Sequence, residues 1–159
     1  MALGDLIGED SFTELVSDTN LESHVPELPV LGSWTVNVVG NSFTVLAASD
    51  DLRGLGTAAR IGRESGDVAS EDMVIAGSTR MLDDAADNRI GIAGRVTANT
   101  SNYYSAYIQG SQAGVYAIFL VKQASGTTTV LANTGYTTGS TGILIPLDLH
   151  LVGTGQYVL

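Results

Sequence analysis

The chain has 159 residues, 44% of them hydrophobic, with 19 glycines, three prolines and no cysteine. That length suits one domain with a sizeable core, and the lack of cysteine excludes thiol and disulfide chemistry. With a formal net charge of −10 the chain is expected to be repelled by nucleic acid and anionic lipid unless a local basic patch intervenes, so neither is expected as a partner.

The charge is unevenly placed. Sixteen of the 17 acidic residues lie at or before Asp87, and only Asp148 follows. Residues 1–30 hold Asp5, Glu9, Asp10, Glu14, Asp18, Glu22 and Glu27 with no Lys or Arg. Such a run is either a solvated face or a docking arm for a basic partner. The start, MALGDLIGEDSF, has neither the basic region nor the long apolar run of a secretory signal. No stretch approaches the ~20 apolar residues of a membrane helix.

In chain order, residues 1–9 read as an arm, and Ser11–Thr13 opens a first strand. Val16–Leu31 is a connection broken by Pro26 and Pro29, with room for one helical turn near Thr19–His24. Ser33–Val39 and Ser42–Ala47 read as strands joined at Gly40-Asn41, with Trp34 and Phe43 expected in the core. A short strand is expected near Ala58–Ile61, then a surface loop over Arg63–Glu71. Asp72–Met81 reads as a strand, with Met73 and Ile75 alternating against Val74 and Ala76.

The centre of the chain is RIGIAGRVTANTSNYYSAYIQGSQAGVYAIFLVK, Arg89 to Lys122. Its three β-prone runs, Ile90–Val96, Tyr103–Gln109 and Val115–Lys122, are separated by Gly, Ser, Asn and Thr, as in consecutive antiparallel strands. Val115–Lys122 is largely apolar on both faces, which predicts a central position. The glycines at Gly91–Gly94 lie inside a strand and signal close backbone approach or a bulge, not a phosphate loop. Turns at Ala124–Gly126 and Gly135–Gly142 then flank strands Thr127–Asn133 and Ile143–Val152, and Gln156–Leu159 forms a last strand. About ten short strands without a long helix predict an all-β, antiparallel two-sheet jelly-roll sandwich spanning residues 10–159.

The succession DSFTE, LESHVPE, SWTV, DNRIGIAGRV, NYYSAYI, VYAIFLVK and TTTVLA resembles the concanavalin A-like, laminin-G-like jelly-roll superfamily. The closest look-alikes are domains of phage structural proteins and bacterial surface proteins. The resemblance covers residues 10–159 and implies fold more than activity. In such domains a segment like LDLHLVGTGQYVL is followed by further strands, so an open sheet edge is expected at Tyr157–Leu159. Some members are glucanases with an E-x-D-x-x-E strand. That motif is missing here, and Glu9, Asp10 and Glu14 do not match it.

Other chemistry is thinly represented. The two histidines, His24 and His150, come without a G-x-S-x-G elbow and are too few for a zinc site. His150 shares a face with Asp148 and Val152, an exposed strand position. Arg95 is expected to pair with a carboxylate. Calcium is the metal whose hard oxygen ligands the chain offers, at Asp50-Asp51 and in the loop with Asp83, Asp84 and Asp87. Solvated turn-forming aspartates are the competing reading.

Tyr103, Tyr107 and Tyr116, with Tyr104 and Tyr136 as further tyrosines, offer stacking faces for a pyranose ring, with Asn102, Gln109 and Gln112 to bond hydroxyls. Cross-strand packing is the alternative for all of them. Two function classes follow. The first is a non-enzymatic virion structural protein of a phage, a capsid decoration or tail-associated protein. It would dock on other virion proteins such as the major capsid protein through Glu9, Asp10, Tyr157 and Leu159. A homo-oligomer, such as a trimer, is expected there, with no cofactor required. The second is a carbohydrate-binding module.

Overall fold

The computed structural model describes residues 11–12, 17, 19–25, 34–36, 43–46, 51–54, 62–64, 72–81, 88–97, 102–112, 114–139, 142–153 and 156–158. They form strands in antiparallel sheets and one 3-10 turn, with no α-helix among them. No helix there is long and apolar enough to cross a membrane. The chain divides into two compact units, Met1–Ser70 and Glu71–Leu159.

In the first unit, β1 (Thr19–Asn20), β3 (Phe43–Leu46) and β4 (Asp51–Gly54) form one sheet in the order β1-β3-β4. A separate pair joins β2 (Trp34–Val36) to β5 (Gly62–Glu64). Strands β2 and β3 therefore sit in different sheets, and the expected turn at Gly40-Asn41 lies outside the described residues. Two further expectations change here. Asp51 belongs to β4, and Arg63 and Glu64 belong to β5, which starts just beyond Ala58–Ile61. Ser11 and Phe12 carry no strand, and Phe12 has φ 56°. The helical turn is a 3-10 turn at Leu21–Ser23, where Leu21 and His24 are buried. His24 N–H donates back to Asn20 O and Leu21 O at 3.2 Å, and its ring lies 5.9 Å from that of Phe12. The side chains of Trp34 and Phe43 are outside the described set.

The second unit holds β6 (Met73–Thr79), β7 (Arg89–Gly94), β8 (Tyr103–Gln112), β9 (Val115–Ala124), β10 (Thr127–Asn133), β11 (Thr137–Thr138), β12 (Ile145–Val152) and β13 (Gln156–Val158). One sheet runs β10-β9-β8-β7 with β11 also beside β9, and the other runs β13-β12-β6. Strand β9 is central, as its two apolar faces require. It passes to β10 through Ser125-Gly126, both at positive φ (48° and 84°). Such a two-residue turn matches the twist of the strands it joins.

Alternation decides which side chains meet. Along β12, Leu147, Leu149 and Leu151 are buried while Pro146, Asp148, His150 and Val152 are exposed. Met73 and Ile75 of β6 lie in register with Leu151 and Leu149, and so share their face. That face meets Ala106 of β8 and Leu120 of β9, with Ile92, Tyr104 and Leu131 packed around the cluster. The second unit is thus two sheets packed face to face. Gly94 is buried between them, where an added Cβ would overlap Ile75 and Leu151. The next residue, Arg95, sits at φ 53° and donates from Nη2 to the carbonyl of Gly153. Gly153 N–H in turn donates to Asp72 Oδ1 at 2.6 Å. The ends of β7, β12 and β6 are tied together by these bonds.

Thirteen strands stand among the described residues, where the sequence predicts about ten. Thr19–Asn20 and Thr137–Thr138 are two-residue pairings too short to show a period.

Leu149→Ala is expected to destabilise the protein by ~2–5 kcal/mol through the cavity it leaves. Val74→Thr, on the exposed face of β6, should stay within ~0.5 kcal/mol. Urea unfolding followed by far-UV circular dichroism checks both. Equal losses would contradict the assignment of faces.

Candidate functional site

The face of the β7-β8-β9 ladder turned away from Leu149 and Leu151, here called the outer face, carries a group of aromatic and polar side chains. It is largely covered, with Ser105, Gln109, Ala117 and Val121 buried. Antiparallel register sets Tyr107 opposite Phe119 on one side and Gly91 on the other, with Gln109 between Arg89 and Ala117. Paired residues share a face, so Tyr103, Ser105, Tyr107 and Gln109 project together with Arg89, Ala117, Phe119 and Val121. Tyr107 and Phe119 stack with ring centroids 5.5 Å apart and planes at 19°. Gly91 lies close against the neighbouring strand, where an added Cβ would overlap Ala106 O and Tyr107 Cα. The Arg89 guanidinium lies over the Tyr107 ring, 5.4 Å from its centroid, in cation–π geometry.

Tyr136 completes the group from the turn after β10. Its ring meets Phe119 edge-on at 6.1 Å and 67°, and its hydroxyl accepts a hydrogen bond from Gln109 Nε2 at 3.3 Å. That turn is held by its own bonds. Thr134 N–H donates to Ile118 O at 3.0 Å, Ile118 N–H to Thr134 Oγ1 at 3.1 Å, and Gly135 N–H to Asn133 Oδ1 at 2.9 Å. Gly135 sits at φ 72°, a conformation that suits glycine. Tyr136 remains half exposed and Arg89 is exposed, so the edge of the group reaches water.

Electrostatics distinguish Tyr107. Burial pushes its phenol above the ordinary 10.0, the nearby Arg89 cation pulls it down, and Tyr103 and Tyr136 add upward pushes. Gln109 and Ser105 beside it are buried polar residues.

The tyrosines expected to act together divide between faces. Tyr103 and Tyr107 lie on the outer face. Tyr116 pairs with Gly110 and points to the other, where its ring lies so close to Gly139 that an added Cβ would be 3.0 Å from Cδ1 and Cζ. Tyr104 also faces the core side, with Lys122 Nζ 5.8 Å from its ring centre. Arg89 and Phe119 were not anticipated, because only pairing register brings them to Tyr107. The remaining expected residues do not bear on this group. Glu9, Asp10, Asp83, Asp84, Asp87 and Leu159 lie outside the described residues. Tyr157 is described as backbone, paired with Leu151 in β13.

A second surface lies at the β10 side of the unit. Thr127–Val130 are exposed along the outer strand of the five-stranded sheet. At Leu131 the register slips between Val130↔Val121 and Ala132↔Leu120, a bulge whose extra side chain packs into the core. Beside it an open groove of about 400 Å³ is lined by Ile118, Ala132, Thr134, Pro146, Leu147 and Asp148. Ile143 and Leu144, both more than half exposed, lead into β12 nearby in sequence. No protein-family model, curated protein or solved structure matches the chain.

The Tyr107 phenol is expected to titrate above its ordinary value, and Arg89→Gln should move it further up, since the lost cation favoured the phenolate. A raised folded-state pKa gives stability that is full below the ordinary 10.0 and is lost as pH rises through the folded value. Tyr107→Phe should therefore flatten the alkaline fall in stability. Ultraviolet titration of the wild type and both variants checks this, and a downward shift in Arg89→Gln would contradict the geometry.

Proposed function

We propose that the chain is a non-enzymatic structural protein of a phage particle, docking on neighbouring virion proteins such as the major capsid protein through a sheet edge. The observation that carries this reading is β10, an exposed outer strand of sequence TTTVLAN with no charge and no proline. Edge strands that stay unassociated are commonly guarded by such residues. Docking by strand addition draws its affinity from the backbone ladder, with side chains setting specificity. Two packed antiparallel sheets in the second unit are the coarse feature that this reading draws on. The acidic residues 1–30 would contribute a second contact to a basic partner.

The test is cosedimentation of the purified chain with shells assembled from a phage major capsid protein. Binding should saturate at a fixed ratio per capsomer, and Val130→Lys should weaken it by about tenfold. Absence of binding to shells and to tail tubes alike would refute the reading.

A second reading, a carbohydrate-binding module, is favoured by the Arg89–Tyr107–Phe119–Tyr136 group. Stacked and edge-on rings beside hydrogen-bonding groups suit the two sides of a pyranose ring. On a glycan panel this reading expects binding that Tyr107→Ala and Tyr136→Ala each abolish with the fold retained. Tyr116→Ala, on the opposite face, removes no ligand contact. A panel with no responding glycan would sink it.

A further inference from the structure

We infer that the β10 edge is a self-pairing site, at which a second copy of this chain adds its own β10 antiparallel. The inference rests on β10 acting as an association edge and names a second copy as the virion protein that occupies it, the paired chains then meeting the capsid through other surfaces such as the acidic residues 1–30.

The backbone supplies the first argument. Strand β10 ends the order β10-β9-β8-β7, so its far side has no strand partner among the described residues. In an antiparallel ladder alternate residues turn both N–H and C=O away from the existing neighbour. The bulge at Leu131 bends the strand and turns that side chain into the core, which confines the straight, exposed segment to Thr127–Val130. A short segment of this kind is long enough to pair and too short to grow a fibre.

Symmetry and side chains supply the second. A two-fold axis normal to the sheet preserves faces, so a residue can meet only itself or residues an even number away. An axis through Thr129 sets Thr128 opposite Val130 of the second copy, and Val130 opposite Thr128. Both are β-branched and exposed, and Val130 is 51% exposed. Pairs of this type favour cross-strand association. The Thr128 hydroxyl is already bonded to Gln123 Oε1 of its own β9, which fixes its side chain on that face. Each copy offers one such edge, so the contact is isologous and closes at two copies.

Charge does not oppose a second copy at this edge. A protein of net charge −10 ordinarily resists meeting itself, yet residues 88–159 hold three cations, Arg89, Arg95 and Lys122, against one carboxylate, Asp148. Strand β10 carries no charge, and in β9 the only one is Lys122, drawn over Tyr104. Two copies meeting at β10 therefore oppose no carboxylates along the strand.

The experiment uses the full chain in native mass spectrometry and in sedimentation across the micromolar range. A dimer is expected, weakened by about tenfold or more in Val130→Lys and retained in the uncharged Val130→Thr. Circular dichroism verifies that both variants fold. Because the chain has no cysteine, Thr129→Cys introduces a single thiol at the proposed axis. Mild oxidation should link two copies through it, while Val74→Cys on the exposed face of β6 should link far less. A monomer at every concentration, or a dimer that ignores Val130→Lys and leaves Cys at position 129 unlinked, overturns self-pairing. If the monomeric chain still binds capsid shells in a manner sensitive to Val130→Lys, the edge belongs to a different protein. In that case the proposed function stands and self-pairing falls.

Discussion

The contact of Leu149 and Leu151 with Ala106 and Leu120 is the constraint on which the second unit depends. Side chains alternate along a strand, so burying these four assigns every other residue of β8, β9 and β12 to a face. A one-residue slip of β8 against β9 would turn Tyr107 inward and Ala106 outward. The slip is resisted from both sides. It would expose the alanine under Leu149, and it would bring Tyr107 into a layer where Gly94 is needed to let the sheets approach. Packing between the sheets thus sets which side chains share the face turned away from it.

The outer aromatic group is a consequence of that register. Arg89, Tyr107 and Phe119 come from three strands, and Tyr136 from a turn that Thr134, Asn133 and Gly135 hold by short-range bonds. Arg89 and burial act on the Tyr107 phenol in opposite directions, and burial prevails. The ring therefore stays neutral through the physiological range, with its face available to the guanidinium. A cation held over a neutral ring beside a buried amide orders this polar surface without relying on opposite charges.

Much of this was legible in the sequence where pattern is dense. β6, β9 and β12 show alternation or apolar runs, and their positions follow from it. The two glycines of GIAG announced close approach, and Gly91 and Gly94 supply it. Pairing partners were less legible. Gly40-Asn41 has the residues of a hairpin turn, yet β2 pairs with β5 and β3 with β1 and β4. Pairing of β2 with a strand distant in sequence is not encoded by the residues next to it. The aromatic group was half visible. Spacing placed Tyr103 and Tyr107 together, but Arg89, Phe119 and Tyr136 join them through register and a loop, which no spacing within one strand encodes. Tyr116 shows the same limit from the other side, since its face is set by the Tyr116↔Gly110 pairing.

The placement of charge and the chemistry of the β10 edge make sense together. Sixteen carboxylates at or before Asp87 would keep copies apart through the first half of the sequence. The second half has almost no net charge to do so, and its outer strand is made of threonine, valine, leucine, alanine and asparagine. A neutral β10 edge lets two copies meet there without opposing carboxylates. The Leu131 bulge limits that contact by ending the straight segment after Val130. Such a strand is guarded by its shortness and by the charge of the rest of the chain, and needs no lysine of its own. The same features that keep it from open-ended aggregation make it specific when it pairs.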